Sequence, residues 1–267
     1  MSAVRAAAVA GLFYPGAPNA LAADVGAHLA AAARPDHTTR AVPKAIIVPH
    51  AGYVYSGPTA GHGYESLAGA RKTIRRVVLF GPAHRAWVRG LAVPSARAFA
   101  TPFGEVALDT DAVARALELP QVVRDDVAHA QEHSLEVQLP FLQRVLENFR
   151  IVPFAVGDAT TAEVAAVMEL LWGGNETLIV VSSDLSHYHC YSDARMIDRV
   201  TADAILALSP NLEHEQACGA TPINGLIVAS RRHGLRPELL DLCNSGDTAG
   251  DKARVVGYAS FAFGAQP

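Results

Sequence analysis

Apolar residues along this chain fall into short unbroken runs, separated by longer stretches with helical spacing. Residues 45–48, 77–80 and 178–181 are continuous apolar runs of strand length. Strands buried on both faces read this way. Residues 151–156 and 255–263 read as further strands, and residues 91–93 as a short one. Between them, residues 18–33 carry Leu21, Val25 and Leu29 four apart, which predicts an amphipathic helix ended by Pro35. Ser56-Gly57-Pro58 predicts a helix over 59–67, with proline near its first turn. Asp109-Thr110-Asp111 caps a helix reaching residue 117. Another follows Gln131-Glu132-His133-Ser134, with Leu135, Leu139, Leu142, Val145 and Leu146 as its apolar positions. Thr160 and Glu163 stand at capping-box spacing at the start of a helix to residue 172. Residues 193–208 and 222–232 complete the helices; residues 8–14 read as an edge strand or loop, and 98–105 as a loop or hairpin. Strands alternating with helices predict an α/β fold, a mainly parallel sheet with helices on both faces.

With 267 residues, half of them apolar, the chain can bury a large core. No long Pro/Ser/Gly linker, charge block, low-complexity tract or internal repeat divides it, so a single domain over residues 1–267 is expected. The net charge of −4 gives no reason to expect nucleic acid or an acidic membrane as partner. No apolar run approaches the about 18 residues of a membrane span. The alanine-rich start breaks at Gly11 and continues into Phe13-Tyr14-Pro15-Gly16, which reads as folded protein rather than a signal peptide. Cys190, Cys218 and Cys243 are odd in number and widely spaced, which fits a reducing, cytoplasmic setting better than a disulfide framework.

The chemistry gathers at strand ends. His50 follows the run 45–48 across Pro49, His84 follows 77–80 across Gly81-Pro82-Ala83, and His187 follows 178–181 across Ser182-Ser183-Asp184-Leu185-Ser186. In open parallel sheets, ligands sit beyond the carboxyl ends of the strands. A lone histidine there is usually structural; repetition is what suggests a shared site. Asp184 adds a carboxylate, and imidazole with carboxylate suits zinc, copper or non-haem iron. His133, at a helix start, reads equally well as an acid/base group or as part of a cap. Tyr53 and Tyr55 would point the same way if the backbone there is extended. Asp247 and Asp251, in the Gly-rich loop 244–251, could supply a further ligand or simply make turns. Cys218 opens a helix, where a thiolate is stabilised. The chain has no P-loop, no G-x-G-x-x-G before a helix, no G-x-S-x-G and no CxxC, so nucleotide cofactors, α/β-hydrolase chemistry and a structural zinc site are disfavoured.

Taken together, several segments resemble the MEMO family, including its prokaryotic branch, called AmmeMemoRadiSam system protein B. They are Ala8-Val9-Ala10-Gly11-Leu12-Phe13-Tyr14-Pro15, Pro49-His50-Ala51-Gly52-Tyr53, Gly81-Pro82-Ala83-His84, Thr101-Pro102-Phe103-Gly104 and Glu132-His133-Ser134-Leu135-Glu136. Ser182-Ser183-Asp184-Leu185-Ser186-His187-Tyr188, Cys218-Gly219-Ala220-Thr221-Pro222-Ile223 and the loop 244–251 before Gly257-Tyr258-Ala259 continue the series. The resemblance implies a fold like the class III extradiol dioxygenases, which hold iron(II) with two histidines and a carboxylate. It implies metal binding by His50 and His84, and places His187 at the acid/base position, close enough to face the metal. Animal members supply a cysteine in the loop before the last strand. No cysteine here falls at that place, which leaves Asp247, and second Cys243, as the third ligand. The resemblance also suggests AMMECR1-like and radical SAM proteins as partners.

Two functions follow. In the first, a divalent metal, iron(II) on the family analogy with zinc or copper as alternatives, is held by His50, His84, His187 and Asp247. It acts on an aromatic or enolic small molecule, with His187, Asp184, His133 and Tyr53 around the chemistry. In the second, the same pocket serves a non-catalytic metal- or peptide-binding adaptor. Hydrolysis by a zinc-bound water is a third use of the same residues.

Overall fold

The computed structural model describes residues 3–33 and 42–265. The expected helix stop at Pro35 lies outside the described residues. The chain opens with β1 (Val4–Arg5) and α1 (Pro18–Ala32), whose Pro18 sits in the first turn, where its missing N–H costs nothing. Then come β2 (Ala45–Val48), α2 (Tyr53–Glu65), β3 (Arg76–Pro82) and β4 (Leu91–Val93). Residues 98–107 form a hairpin of β5 (Ala98–Thr101) and β6 (Gly104–Ala107). Asp109 caps α3 (Thr110–Ala116) by accepting from Ala112 N, as its sequence predicts. β7 (Val122–Arg124), α4 (Asp126–Ala130), α5 (His133–Glu136) and α6 (Leu139–Val145) lead to β8 (Arg150–Val156). The capping box of Thr160 and Glu163 is formed in both directions at α7 (Thr161–Leu170). β9 (Thr177–Ser182), β10 (His187–His189), α8 (Tyr191–Leu206), α9 (Ala220–Arg232), β11 (Arg236–Asn244) and β12 (Val255–Gly264) complete the fold.

The main sheet has the order β10-β12-β2-β9-β3-β8-β4-β7, with β11 also on β12. Its centre, β2-β9-β3-β8, is parallel, and its residues are buried on both faces. The flanks are not wholly parallel: β12 runs antiparallel to β2, β10 and β11, and β4 antiparallel to β8. The α/β fold read from the sequence holds, with a parallel centre and flanks of mixed direction. The reason is connection length: β11 and β12 are joined without a crossover helix, and a short link returns the chain antiparallel. A small second sheet, β1-β5-β6, covers one side.

Two helices differ from the sequence pattern. α2 begins at Tyr53, with Pro58 inside it, rather than at residue 59. Packing overrides the proline signal here. A Cβ at Gly57 would lie 2.3 Å from His28 Nε2, and one at Gly61 2.7 Å from the His28 carbonyl, so these glycines let α2 sit directly on α1. Tyr53 and Tyr55 are therefore helical, not extended, and diverge: Tyr53 is buried and Tyr55 half exposed. The helix expected after Ser134 is broken into α5 and α6, with Pro140 at the start of the second.

Candidate metal centre

β2 and β3 end side by side with β9, so the segments that follow them emerge at one edge of the sheet. His50 stands just beyond β2 and His84 just beyond β3. His133 arrives from elsewhere, at the start of α5. It can do so because α5 presses on the end of β3: a Cβ at Gly81 would lie 2.6 Å from Ser134 Oγ, which donates to the Pro82 carbonyl at 2.9 Å. Among the described residues, His50, His84 and His133 form the one group with metal-holding geometry, each offering a nitrogen within 4.8 Å of the others. Ring centroids lie 5.2 Å apart for His50 and His84, 5.4 Å for His50 and His133, and 4.8 Å for His84 and His133.

His50 is wholly enclosed, and its proton positions can be deduced. Ser182 Oγ donates its single proton to the Ser134 carbonyl at 2.6 Å, and accepts from Gln138 Nε2 at 2.9 Å. The His50 Nδ1 contact at 2.8 Å must therefore be donated by the ring. That leaves a lone pair on Nε2. Burial, then the neighbouring His84, His133 and His187, hold this imidazole well below its usual pKa, so it is neutral. His133 is likewise held down to about 4, mainly by burial. Neutral imidazole is the form that binds metal. His84 bonds through Nδ1 to Glu132 Oε1 at 3.0 Å, and its backbone N–H donates to Glu132 Oε2 at 2.5 Å.

The remaining expected site residues are placed as follows. His187, on β10, is half-buried and near enough to His50 to depress it, but stands outside the three-histidine group. Asp184 is buried; its Oδ1 accepts the His50 backbone N–H at 2.7 Å, fixing the turn that carries the imidazole. Burial pushes its carboxyl up to about 7 against the opposing N–H groups of His50 and Ala51. Tyr53 points into the core, donating to the Val137 carbonyl at 2.6 Å. Asp247 is exposed: its carboxylate accepts from Tyr191 Oη at 2.6 Å and from Asn244 N at 3.1 Å. With Cys243 it lines a separate small cavity beside Arg195 and Arg199.

The sulfur that does reach the histidines is that of Cys218, whose Sγ lies 3.2 Å from His50 Nε2. Its sequence signals were its place before a helix and the family-like segment 218–223, neither of which tied it to His50. Contact depends on Gly219 N donating to Ser183 Oγ at 2.9 Å, which seats the start of α9 on the end of β9. A Cβ on Gly219 would lie 2.6 Å from Ser183 Cβ. Burial, then Asp184, pushes the Cys218 thiol up to about 12.

Glu132 is buried yet held down to about 2: burial opposes ionisation, but bonds from His84 and from Ser134 N win. A carboxylate with a depressed folded pKa stabilises above its ordinary value of 4.5 and loses that contribution as pH falls through about 2. The stability gap between wild type and Glu132→Gln, read from urea midpoints, should therefore shrink as pH is lowered from 4.5 towards 2. A constant gap would show that folding leaves the titration of this carboxyl unchanged, and a gap that moves in favour of wild type on acidification would show a raised pKa.

Comparison with known proteins agrees over nearly the whole chain. A protein of Archaeoglobus fulgidus named as a MEMO1 family protein is 37% identical over 274 residues, covering 96% of this chain and 97% of that one. An Aquifex aeolicus protein of the same name is 37% identical over 273 residues, covering 97% and 99%. The crystal structure of an uncharacterized protein from Escherichia coli K12 aligns with TM-score 0.55 at 13% identity, over 81% of this chain and 98% of that one, a likeness of fold alone. The family model described as Memo-like protein matches residues 5–262, and the chain belongs to the Memo family.

Proposed function

We propose that this protein is a metal-dependent enzyme whose ion is held by His50, His84 and His133. The carrying observation is the convergence of their nitrogens within 4.8 Å at the sheet edge. The donor set fits a metal: His50 and His133 are held neutral, and His50 keeps a lone pair on Nε2 because its Nδ1 donates to Ser182 Oγ. Imidazole suits zinc, copper and iron alike. The resemblance to extradiol dioxygenases favours iron(II), O2 and an aromatic or enolic substrate. When bound, the ion supplies Lewis acidity to substrate oxygens.

The chain's own groups do the rest. His187, held below its usual pKa mainly by burial, has a neutral ring nitrogen able to take a proton from a substrate hydroxyl. Asp184 keeps the His50 turn in place. Cys218 is a further donor within reach of His50, and a thiol that coordinates is deprotonated outright. A second reading, a metal- or peptide-binding adaptor, draws on the exposed Trp87 and Tyr188, which flank His84 and His187 in sequence.

The test is metal analysis of the purified protein, then anaerobic iron loading and O2 uptake over a panel of catechols. Uptake dependent on iron and on at least one catechol is expected. Bound iron with no uptake from any of them, together with tight peptide binding, would favour the adaptor.

A further inference from the structure

We infer that Glu132 is a positioning residue shared by two of the three histidines, setting their tautomers and so the affinity of the centre; this rests on the metal-centre reading above. Glu132 is 1% exposed and precedes α5. Its role as a helix cap needs one oxygen, which accepts from Ser134 N at 2.9 Å. The structure shows more. The same oxygen, Oε1, faces His84 Nδ1 at 3.0 Å, and Oε2 takes the His84 backbone N–H. Oε1 also lies 3.4 Å from the unpartnered Nδ1 of His133, just outside hydrogen-bond geometry. Both rings thus turn their δ nitrogens towards one carboxylate. An ionised carboxylate only accepts, so it keeps the proton on Nδ1 and leaves Nε2 as the donor atom for an ion.

Charge supports the assignment. Arg5, the nearby guanidinium, reaches only the Glu132 backbone carbonyl, at 2.7 Å, and gives its side-chain ion pair to Glu136. The side-chain charge of Glu132 instead faces the δ nitrogens of His84, at 3.0 Å, and His133, at 3.4 Å. A buried carboxylate of this kind is compensated through the imidazoles by a cation bound beyond them.

The experiment titrates cobalt(II) into the full-length apoprotein of wild type, Glu132→Gln and His50→Ala, following the visible ligand-field bands. Histidine nitrogen NMR of the apoproteins reads the tautomers. The expected result is a cobalt affinity about tenfold to a hundredfold weaker in E132Q, with an altered spectrum. His84 should be the Nδ1–H tautomer in wild type and mixed in E132Q. A purely structural cap predicts a lower Tm with unchanged affinity and tautomers, and that result overturns the proposal. Unchanged cobalt binding by H50A would instead remove the metal centre itself. If E132Q does not fold, the wild-type spectrum still decides: His84 protonated on Nε2 refutes the assignment, and on Nδ1 upholds it.

Discussion

His50→Ala should abolish metal binding, whereas His187→Ala should keep the metal and lose turnover. The two imidazoles lie close together, but the proposed function gives them different work. His50 is 2% exposed, donates from Nδ1 to Ser182 and so keeps its lone pair on Nε2, within the three-histidine group. Removing it deletes a ligand and leaves Ser182 and Gln138 around a void. Loss of a direct ligand should exceed the about tenfold to hundredfold effect of an outer-shell change. His187 is carried on β10, outside the three-nitrogen group. Its loss should cost about 10²–10⁴-fold in turnover, the range for removal of a general acid or base. Metal content by elemental analysis and substrate-dependent O2 uptake separate the two effects. Full metal content in H50A, or depleted metal in H187A, would reverse the assignment.

Arg5→Ala is the second large expected effect, on stability. Arg5 and Glu136 form a buried ion pair beneath the N-terminal segment. Arg5 also donates from Nε to the His129 carbonyl at 2.7 Å. Glu136 gathers Ala8 N at 2.8 Å, Val9 N at 2.9 Å and Tyr14 Oη at 2.7 Å, so its carboxylate ties residues 8–14 to α5. Without the guanidinium a buried carboxylate is left uncompensated, a loss of about 3–5 kcal/mol. Urea unfolding should show it, and because buried pairs are poorly screened, added salt should not erase the difference. The same segment carries Phe13, whose ring lies 4.8 Å from His133, so metal affinity should weaken as well. A change below about 1 kcal/mol would mean that the pair behaves as a surface pair.

The strands of the sheet centre were legible because burial on both faces leaves a continuous apolar run, as in Ala45-Ile46-Ile47-Val48. His50 and His84 were legible as neighbours for the same reason, since parallel strands must end at one edge. The group's third member was not. His133 is brought to the edge by the contact of Ser134 with Gly81, and a glycine's use in close packing leaves no periodic trace. Cys218 was hidden in the same way, behind the seating of Gly219 on Ser183. The start of α2 was misread because Pro58 is a strong local signal, outweighed here by the closeness of α1 and α2 at Gly57 and Gly61. The antiparallel flanks were not readable from burial, which is the same for either strand direction.

β12 runs on past the end of β2, and there His187 is paired with Val256 while Leu185 N donates to the Gly257 carbonyl at 2.8 Å. The loop between β11 and β12 therefore ends before the rungs that hold His187. The loop still braces that strand pair, since Ser245 Oγ accepts from Val256 N at 3.1 Å and the Lys252 carbonyl from Tyr191 N at 3.1 Å, so a grafted loop should keep both contacts if the histidine is to keep its address. Loop positions that make neither contact are then the places where sequence can change without moving His187.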